Sequence, residues 1–196
     1  IAWVAWDHPN MPWDSSILHM ATLEVGNKGL PTIIETERLV DRLDVAVFQP
    51  QFSPDGRSLV YVSDESGWNN LYLYDLSLRA HRPLTADPVD LGMPAWAQGV
   101  RTYGFSPDGR YLYYIRNERG FSHLWAYDLH TGQTQAAGSA LDDYASLSQI
   151  AVAPKSGTLA FIASSIMADA RVISCDVRSP GCIPAQPQSQ PPAHIH

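Results

Sequence analysis

The chain has 196 residues, of which 45% are hydrophobic and 17% are charged, a balance typical of a folded globular protein and not of a disordered segment. Its formal net charge is −7, and its 13 Lys and Arg residues form no basic stripe, which excludes nucleic acid as an expected partner. No apolar run approaches the ~18–20 residues that cross a bilayer, so we expect no membrane partner either.

The chain opens with two segments that read as strands, at residues 1–6 and about 17–23. Both are rich in Ile, Val, Leu, Trp and Met, and the loop between them carries the turn residues that bound a strand. That loop contains an octapeptide at residues 7–14, Asp-His-Pro-Asn-Met-Pro-Trp-Asp. Because the chain starts at Ile1, inside the first strand, we expect it to be part of a longer protein.

A repeat with an offset of 53 residues is the strongest signal along the chain. The sequence Phe-Ser-Pro-Asp-Gly-Arg at 52–57 recurs at 105–110, and Leu-Tyr-Leu-Tyr-Asp-Leu at 71–76 corresponds to Leu-Trp-Ala-Tyr-Asp-Leu at 124–129. A weaker copy begins near residue 152, and residues 17–23 take the place of 71–76 in a copy that lacks its start. The chain therefore contains four related units.

Each unit predicts four short antiparallel strands, which in the second unit lie at about 46–52, 58–63, 71–76 and 81–86. The Ser-Pro-Asp-Gly sequence predicts a hairpin turn, because Pro presets φ at the first corner and Gly takes the left-handed position. Four such strands recurring every ~50 residues, a WD40-like repeat, are typical of propeller blades. The predicted fold is all-β: a partial β-propeller of about four four-stranded blades, the first incomplete.

The repeat also predicts the domain organisation. The expected blades lie at about 1–41, 44–87, 91–138 and 144–187. Together they form a propeller fragment, residues 1–187, and a Pro/Gln/His tail or linker follows at 188–196. Because the first blade lacks its innermost strand, we expect further blades upstream. The histidines in the tail, His194 and His196, have no third ligand beside them, so we expect no metal and no cofactor.

Two cysteines, Cys175 and Cys182, are too few for a disulfide framework and are not spaced like zinc ligands. The sequence favours two free thiols, with a local disulfide in an oxidising compartment as the alternative. No Asn-x-Ser/Thr glycosylation sequence occurs. The expected location is therefore the cytoplasm.

The octapeptide, together with residues 1–6, closely resembles a segment of one peptidase family. Three further stretches match in order, at about 48–50, 62–72 and 92–96. They resemble the propeller of acylaminoacyl peptidase or dipeptidyl aminopeptidase-like members of the prolyl oligopeptidase family of serine peptidases. The resemblance implies a C-terminal α/β-hydrolase domain of the same protein as partner, and a peptide as substrate.

This chain carries no catalytic machinery of that family. The nucleophile elbow of an α/β-hydrolase reads Gly-x-Ser-x-Gly, and the nearest approach here has Asp108 at the second glycine position. Its Ser106 lies in a predicted hairpin turn, so no catalytic residue is assigned. The function expected from the resemblance is a non-catalytic propeller that gates or contacts peptides. The alternative is a stand-alone TolB-like propeller that binds protein or glycan.

Two loops provide the candidate site residues, for substrate contact or for a domain interface. The candidates are His8, Asn10, Trp13 and Asp14 in the octapeptide, and Asp64, Glu65 and Trp68 in the corresponding loop of the second unit. Packing within the propeller, or a solvated turn for Asp64 and Glu65, is the alternative. In four-stranded blades, the loops between second and third strands share one face, and the Ser-Pro-Asp-Gly turns lie on the other.

Overall fold

The computed structural model describes residues 1–26, 29–93, 95–97, 99–138, 141 and 143–176. Within these ranges every named element is a β-strand, and the strands form four antiparallel sheets. The first sheet contains β1 (Ala2–Ala5), β2 (Ile17–Val25) and β3 (Pro31–Val40). The second contains β4 (Val47–Phe52), β5 (Ser58–Ser63), β6 (Asn70–Asp75) and β7 (Ala80–Pro83). The third contains β8 (Tyr103–Phe105), β9 (Tyr111–Glu118), β10 (Phe121–Asp128) and β11 (Thr134–Ala136). The fourth contains β12 (Ser146–Val152), β13 (Thr158–Ser165) and β14 (Ala168–Asp176).

Each sheet is a simple meander in which consecutive strands pair with one another. The predicted fold class, an all-β partial propeller with antiparallel blades, is confirmed. In the second sheet the first three predicted strands match within one residue, but the fourth ends at Pro83 instead of residue 86. The ladder stops there because the hydroxyl of Thr85 accepts the hydrogen bond of the Leu71 amide at 3.0 Å. The exact division into blades stays a prediction, and residues 188–196 lie outside the described ranges.

The sheets pack face to face in chain order, with a hydrophobic cluster at each junction. Between the first and second sheets lie Leu18, Val40, Val45, Val47, Leu59, Tyr61, Tyr72 and Tyr74. Between the second and third lie Phe48, Val60, Val62, Leu71, Leu73, Leu84, Leu91, Tyr103, Phe105, Leu112, Tyr114 and Tyr127. Between the third and fourth lie Tyr113, Ile115, Leu124, Ala126, Leu141, Leu147, Ile150, Leu159, Phe161, Ala163, Ile173 and Cys175. Burial of these alternating side chains is what drives the sheets together.

The Ser-Pro-Asp-Gly turn forms as the sequence predicts. Gly56 has a φ of 69°, in the left-handed region, and its amide donates to the carbonyl oxygen of Ser53 at 2.9 Å. The Asp55 carboxylate accepts from the Ser53 hydroxyl at 2.6 Å and from the Arg57 amide at 3.1 Å. These bonds, that from Ser53 first, lower the pKa of Asp55. The turn therefore closes the first hairpin of the sheet by local interactions alone.

A bulged glutamine joins the innermost strands of neighbouring sheets. Gln49 has a φ of 50° and lies where the β4–β5 register shifts. Its side-chain oxygen accepts from the amide of Thr102 at 2.7 Å, and its nitrogen donates to the carbonyl oxygen of Tyr103 at 2.8 Å. Gln149 also has a positive φ, 56°, and its side-chain oxygen accepts from the Arg101 amide at 3.1 Å, which joins the fourth sheet to the third. Both glutamines stand five residues before the proline of a turn.

His81 on β7 predicts a pH dependence of stability. Its Nδ1 lies 2.9 Å from the hydroxyl of Tyr61, and burial lowers its pKa below the ordinary 6.5. The folded chain therefore binds this proton less readily than the unfolded chain does, and stability is lost as pH falls below 6.5. We expect the urea midpoint to fall between about pH 7 and about pH 5, and to fall less in His81→Gln. An equal fall in both proteins would contradict this assignment.

Cys175 corrects one sequence expectation. It lies in β14, is buried, and is disulfide-bonded, so the preferred interpretation of two free thiols is wrong for this residue. The spacing alone could not decide this, because both alternatives fit a pair of cysteines so close in sequence. Cys182 lies outside the described residues.

Candidate functional site: the loop face

One face of the sheet array gathers four loops with the connections between sheets. The four are the β1–β2, β5–β6, β9–β10 and β13–β14 loops, which join the second and third strands of the repeat because the first sheet lacks its first strand. The amide of Ser16 donates to the carbonyl oxygen of Val45 at 3.0 Å, and the amide of Ser122 donates to that of Ala145 at 3.0 Å. These bonds join the ends of the first and third of these loops to the connections that lead to the following sheets. Because antiparallel strands alternate in direction, the Ser-Pro-Asp-Gly turns lie at the opposite ends of the strands. We call the first of these surfaces the loop face and the second the turn face.

The octapeptide folds into a compact turn that leads into β2. The Asp14 carboxylate accepts from the amide of Met11 at 3.0 Å, and the Asp14 amide donates back to the Met11 carbonyl oxygen at 2.9 Å. His8 and Asp14 are exposed and Asn10 is half-buried. Trp13 is 38% exposed, whereas Pro12 beside it is buried. The loop therefore packs through Pro12 and presents the indole of Trp13 towards solvent.

Ser16 fixes this loop to the second sheet. Its buried hydroxyl accepts from the amide of Val47 at 2.7 Å and donates to the carbonyl oxygen of Val47 at 3.0 Å. The hydroxyl of Ser15 donates to the carbonyl oxygen of Arg42 at 3.4 Å. The octapeptide is thus held at the junction of the first two sheets, next to the second candidate loop.

Asp64 and Glu65 are engaged with the chain itself. The Asp64 carboxylate accepts from the amide of Ala46 at 2.7 Å, and burial raises the pKa of this carboxyl, although that bond opposes the shift. Glu65 forms a salt bridge with Arg42 at 2.6 Å. Asp64 therefore holds the connection between the first two sheets in place, and Glu65 pairs with a cation on that same connection.

Asn70 organises the loop that carries Trp68. Asn70 is fully buried, and its side-chain nitrogen donates to the Ser66 hydroxyl at 3.0 Å and to the Asp87 carbonyl oxygen at 3.1 Å. Its side-chain oxygen accepts from the Thr85 hydroxyl at 2.8 Å and from the Asp87 amide at 3.1 Å. All hydrogen-bonding positions of the amide are thereby used. The indole of Trp68 stays 45% exposed above this network.

A cleft of about 780 Å³ lies between the second and third sheets on the loop face. Its lining consists of Trp68, Pro88, Val89, Asp90, Asn117, Glu118, Arg119, Phe121 and His123. The Asp90 carboxylate accepts from the side-chain amide of Asn69 at 3.1 Å, and Glu118 forms a salt bridge with Arg116 at 2.7 Å. The cleft therefore combines exposed aromatic surface with carboxylates that already have partners.

Each of the four loops has a large exposed apolar side chain on this face, either within the loop or, for Phe121, at the first residue of the strand that follows it. They are Met11 (44% exposed), Trp13 (38%), Trp68 (45%), Phe121 (50%), Ile166 (92%) and Met167 (92%). Isolated exposed apolar residues are ordinary; what distinguishes these is that one or more recur at the same place in every repeat. The sequence analysis selected Trp13 and Trp68 and missed the other four. The signal available was an apolar residue in the corresponding loop of each repeat.

The structure brings the two predicted loops next to each other through Ser15, Arg42 and Glu65, at the junction of the first two sheets. Among the residues that the structure describes, no group of three or more His, Cys, Asp or Glu is placed to hold a metal ion. The same residues include no helix long and apolar enough to span a membrane.

Comparison with known proteins identifies what the sheets and the octapeptide resemble. No family model matches the chain. Dipeptidyl-peptidase 5 of Porphyromonas gingivalis is 30% identical over 106 residues, covering 50% of this chain and 14% of that protein. A puromycin-hydrolysing peptidase of Mycobacterium tuberculosis has a TM-score of 0.76 and 26% identity, covering 91% of this chain and 25% of the other. A prolyl endopeptidase structure has a TM-score of 0.66 and 19% identity, covering 90% and 23%.

The resemblance to the propeller of prolyl oligopeptidase-family peptidases is confirmed. The chain spans about a quarter or less of the length of these relatives. The likeness to the prolyl endopeptidase shows the fold alone, whereas that to the puromycin-hydrolysing peptidase extends to the sequence.

TolB-like proteins share the propeller fold more distantly. A TolB-type structure of Agrobacterium tumefaciens has a TM-score of 0.54 and 16% identity, covering 83% of this chain and 57% of that one. Such a likeness shows the fold alone. It is weaker than the likeness to the peptidase propellers in both superposition and sequence.

Proposed function

We propose that the chain is the non-catalytic propeller portion of a serine peptidase, and that its loop face meets the catalytic domain and peptide substrates. The observation that carries the proposal is the set of exposed apolar side chains, one or more in or directly beside each loop of that face. The similarity in sequence and fold to a puromycin-hydrolysing peptidase supports the serine-peptidase assignment.

The candidate residues divide between two roles in this proposal. Trp13 and Trp68, with exposed indoles, contact the catalytic domain or an apolar side chain of the peptide. His8, Asn10 and Asp14 form the turn that presents Trp13. Asp64 and Glu65 position the same surface through Ala46 and Arg42, since both carboxylates already have partners. A propeller placed this way admits small peptides to the catalytic serine and excludes folded proteins.

The domain division and the compartment belong to the same proposal. We take residues 1–187 as propeller and 188–196 as linker to the catalytic domain. The cytoplasm is the location expected from the sequence, and the disulfide at Cys175 counts against it, because disulfides are rare in that compartment. Thiol labelling of the protein taken directly from cells distinguishes the cytoplasm from an oxidising compartment, because a protected Cys175 excludes the reducing cytoplasm.

A fluorophosphonate probe tests the assignment of chemistry. The chain should not label, because its nearest approach to a nucleophile elbow, Ser106, lies in a hairpin turn. The Ser106 amide donates to the carbonyl oxygen of Tyr111 across that hairpin. The complete polypeptide encoded by the gene should label at a serine within a Gly-x-Ser-x-Gly sequence. Labelling of any serine in this chain would overturn the proposal. A complete gene product without that sequence would support the TolB-like binding module instead.

A further inference from the structure

An arginine without a partner lines the cleft between the second and third sheets. Arg119 lies at the tip of the β9–β10 hairpin, on the loop face, and is exposed. The part of the chain that the structure describes offers its guanidinium no carboxylate and no hydrogen-bond acceptor. The cleft therefore contains a cation whose hydrogen-bond donors are free to meet a ligand.

The backbone at this tip is in a conformation that arginine adopts infrequently. Arg119 has a φ of 51° and Gly120 has a φ of 85°, as in the two-residue hairpin turn in which both values are positive. Gln49 and Gln149 also have a positive φ, and each uses its side chain to hold a neighbouring sheet. Arg119 has no such contact among the described residues. An uncommon backbone conformation of this kind is typical of functional sites.

The carboxylates around the cleft already have partners. Glu118 and Asp87 share Arg116, at 2.7 Å and 2.9 Å, and one oxygen of Asp90 accepts two hydrogen bonds from Asn69, both at 3.1 Å. These carboxylates repel an anion that is merely nearby, so an anion is favoured here only in direct contact with the unpaired guanidinium. A guanidinium makes that contact best with a carboxylate, through two parallel hydrogen bonds.

Exposed aromatic rings lie in the same cleft. Trp68 is 45% exposed and Phe121 is 50% exposed, and the half-buried Val89 adds an aliphatic side chain to the lining. Sites for small ligands combine a mostly apolar lining with a few polar groups in a volume of about 300–1,000 Å³. The volume of this cleft, about 780 Å³, lies within that range. The lining suits a ligand that carries one carboxylate beside one large apolar group.

We infer that this cleft binds the C-terminal residue of a peptide, with its carboxylate on Arg119 and its side chain against Trp68 and Phe121. A chain terminus fits because it attaches a carboxylate and a side chain to the same carbon atom. The inference rests on the proposed function, since it assigns part of the loop face to one end of the peptide substrate. The substrate class is then short peptides with a free C-terminus and a large apolar last residue.

Two peptides that differ only in their C-terminal group test the carboxylate contact in the complete gene product. Both end in phenylalanine, one as the free acid and one as the amide. KM should be about 10-fold lower for the acid, because a hydrogen bond to a charged group contributes that much. Arg119→Gln should bring the two KM values within about 2-fold of each other. Arg57→Gln, on the turn face with a side chain 86% exposed, is the matched control and should keep the difference.

A second pair of peptides tests the apolar part of the cleft. Both are free acids, one ending in phenylalanine and the other in alanine. Phe121→Ala should raise KM about 5-fold for the first peptide and leave it within about 2-fold for the second, because only the larger side chain reaches the ring. The difference between acid and amide should persist in Phe121→Ala, since Arg119 is unchanged. Circular dichroism verifies that each variant is folded.

The results separate this inference from the proposed function. Equal KM values for acid and amide in the wild type, or a difference that survives in Arg119→Gln, would overturn the inference. If Trp68→Ala still impairs hydrolysis in that case, the loop face keeps its proposed role and only the C-terminal contact is wrong. A complete gene product that hydrolyses none of these peptides and does not react with the fluorophosphonate probe would overturn both.

Discussion

Replacing Asn70 with alanine is expected to lower the free energy of unfolding by about 2–4 kcal/mol. The substitution removes five hydrogen bonds from a fully buried amide, and the Thr85 hydroxyl and the amide and carbonyl groups of Asp87 each lose Asn70 as a partner. Buried groups that lose a partner cost more than the bond contributed, because water does not replace it. Urea unfolding measures the loss.

A matched control separates this network from a general effect of losing an amide. Asn10→Ala makes the same chemical change at a half-buried position of the octapeptide and should alter stability by less than about 0.5 kcal/mol. Hydrogen exchange at the Asp87 amide should also accelerate in Asn70→Ala, since that amide donates to Asn70. Equal losses in the two variants, with unchanged exchange at Asp87, would show that Asn70 does not organise the loop.

The repeated elements could be predicted from sequence because local chemistry determines them. The Ser-Pro-Asp-Gly turns depend on bonds within six residues, and the strands around them are short runs rich in Val, Leu and Tyr. The prediction failed where a side chain distant in sequence ends a strand. The fourth strand of the second sheet stops at Pro83 because Thr85 takes the amide of Leu71.

The partners of the candidate site could not be predicted, because they lie 15 to 23 positions away along the chain. Nothing in the octapeptide indicates that Pro12 is buried while Trp13 is exposed. The salt bridge between Glu65 and Arg42 joins residues 23 positions apart, one in the β5–β6 loop and one on the connection between the first two sheets. In the sequence, Asn70 is one of two adjacent asparagines and nothing distinguishes it from the other. It is buried and central to a hydrogen-bond network only because Thr85 and Asp87 pack around it.

Substitutions on the loop face are expected to impair peptide hydrolysis by the complete gene product far more than substitutions on the turn face. Trp68→Ala and Trp13→Ala should each lower kcat/KM by about 10-fold or more, because displacing a group that positions substrate has effects of that order. Both indoles are exposed in this chain, so their loss should leave the fold intact.

The most direct test of the account compares Trp68→Ala with Leu78→Ala in that protein. Leu78 is 74% exposed and lies in the turn between β6 and β7, on the turn face, so it is an exposed apolar residue like Trp68 but lies on the opposite face. We expect kcat/KM to fall about 10-fold or more for Trp68→Ala and to stay within about 2-fold of the wild type for Leu78→Ala. Equal effects of the two substitutions, whether both large or both negligible, would contradict the assignment of the loop face as the surface that meets catalytic domain and substrate.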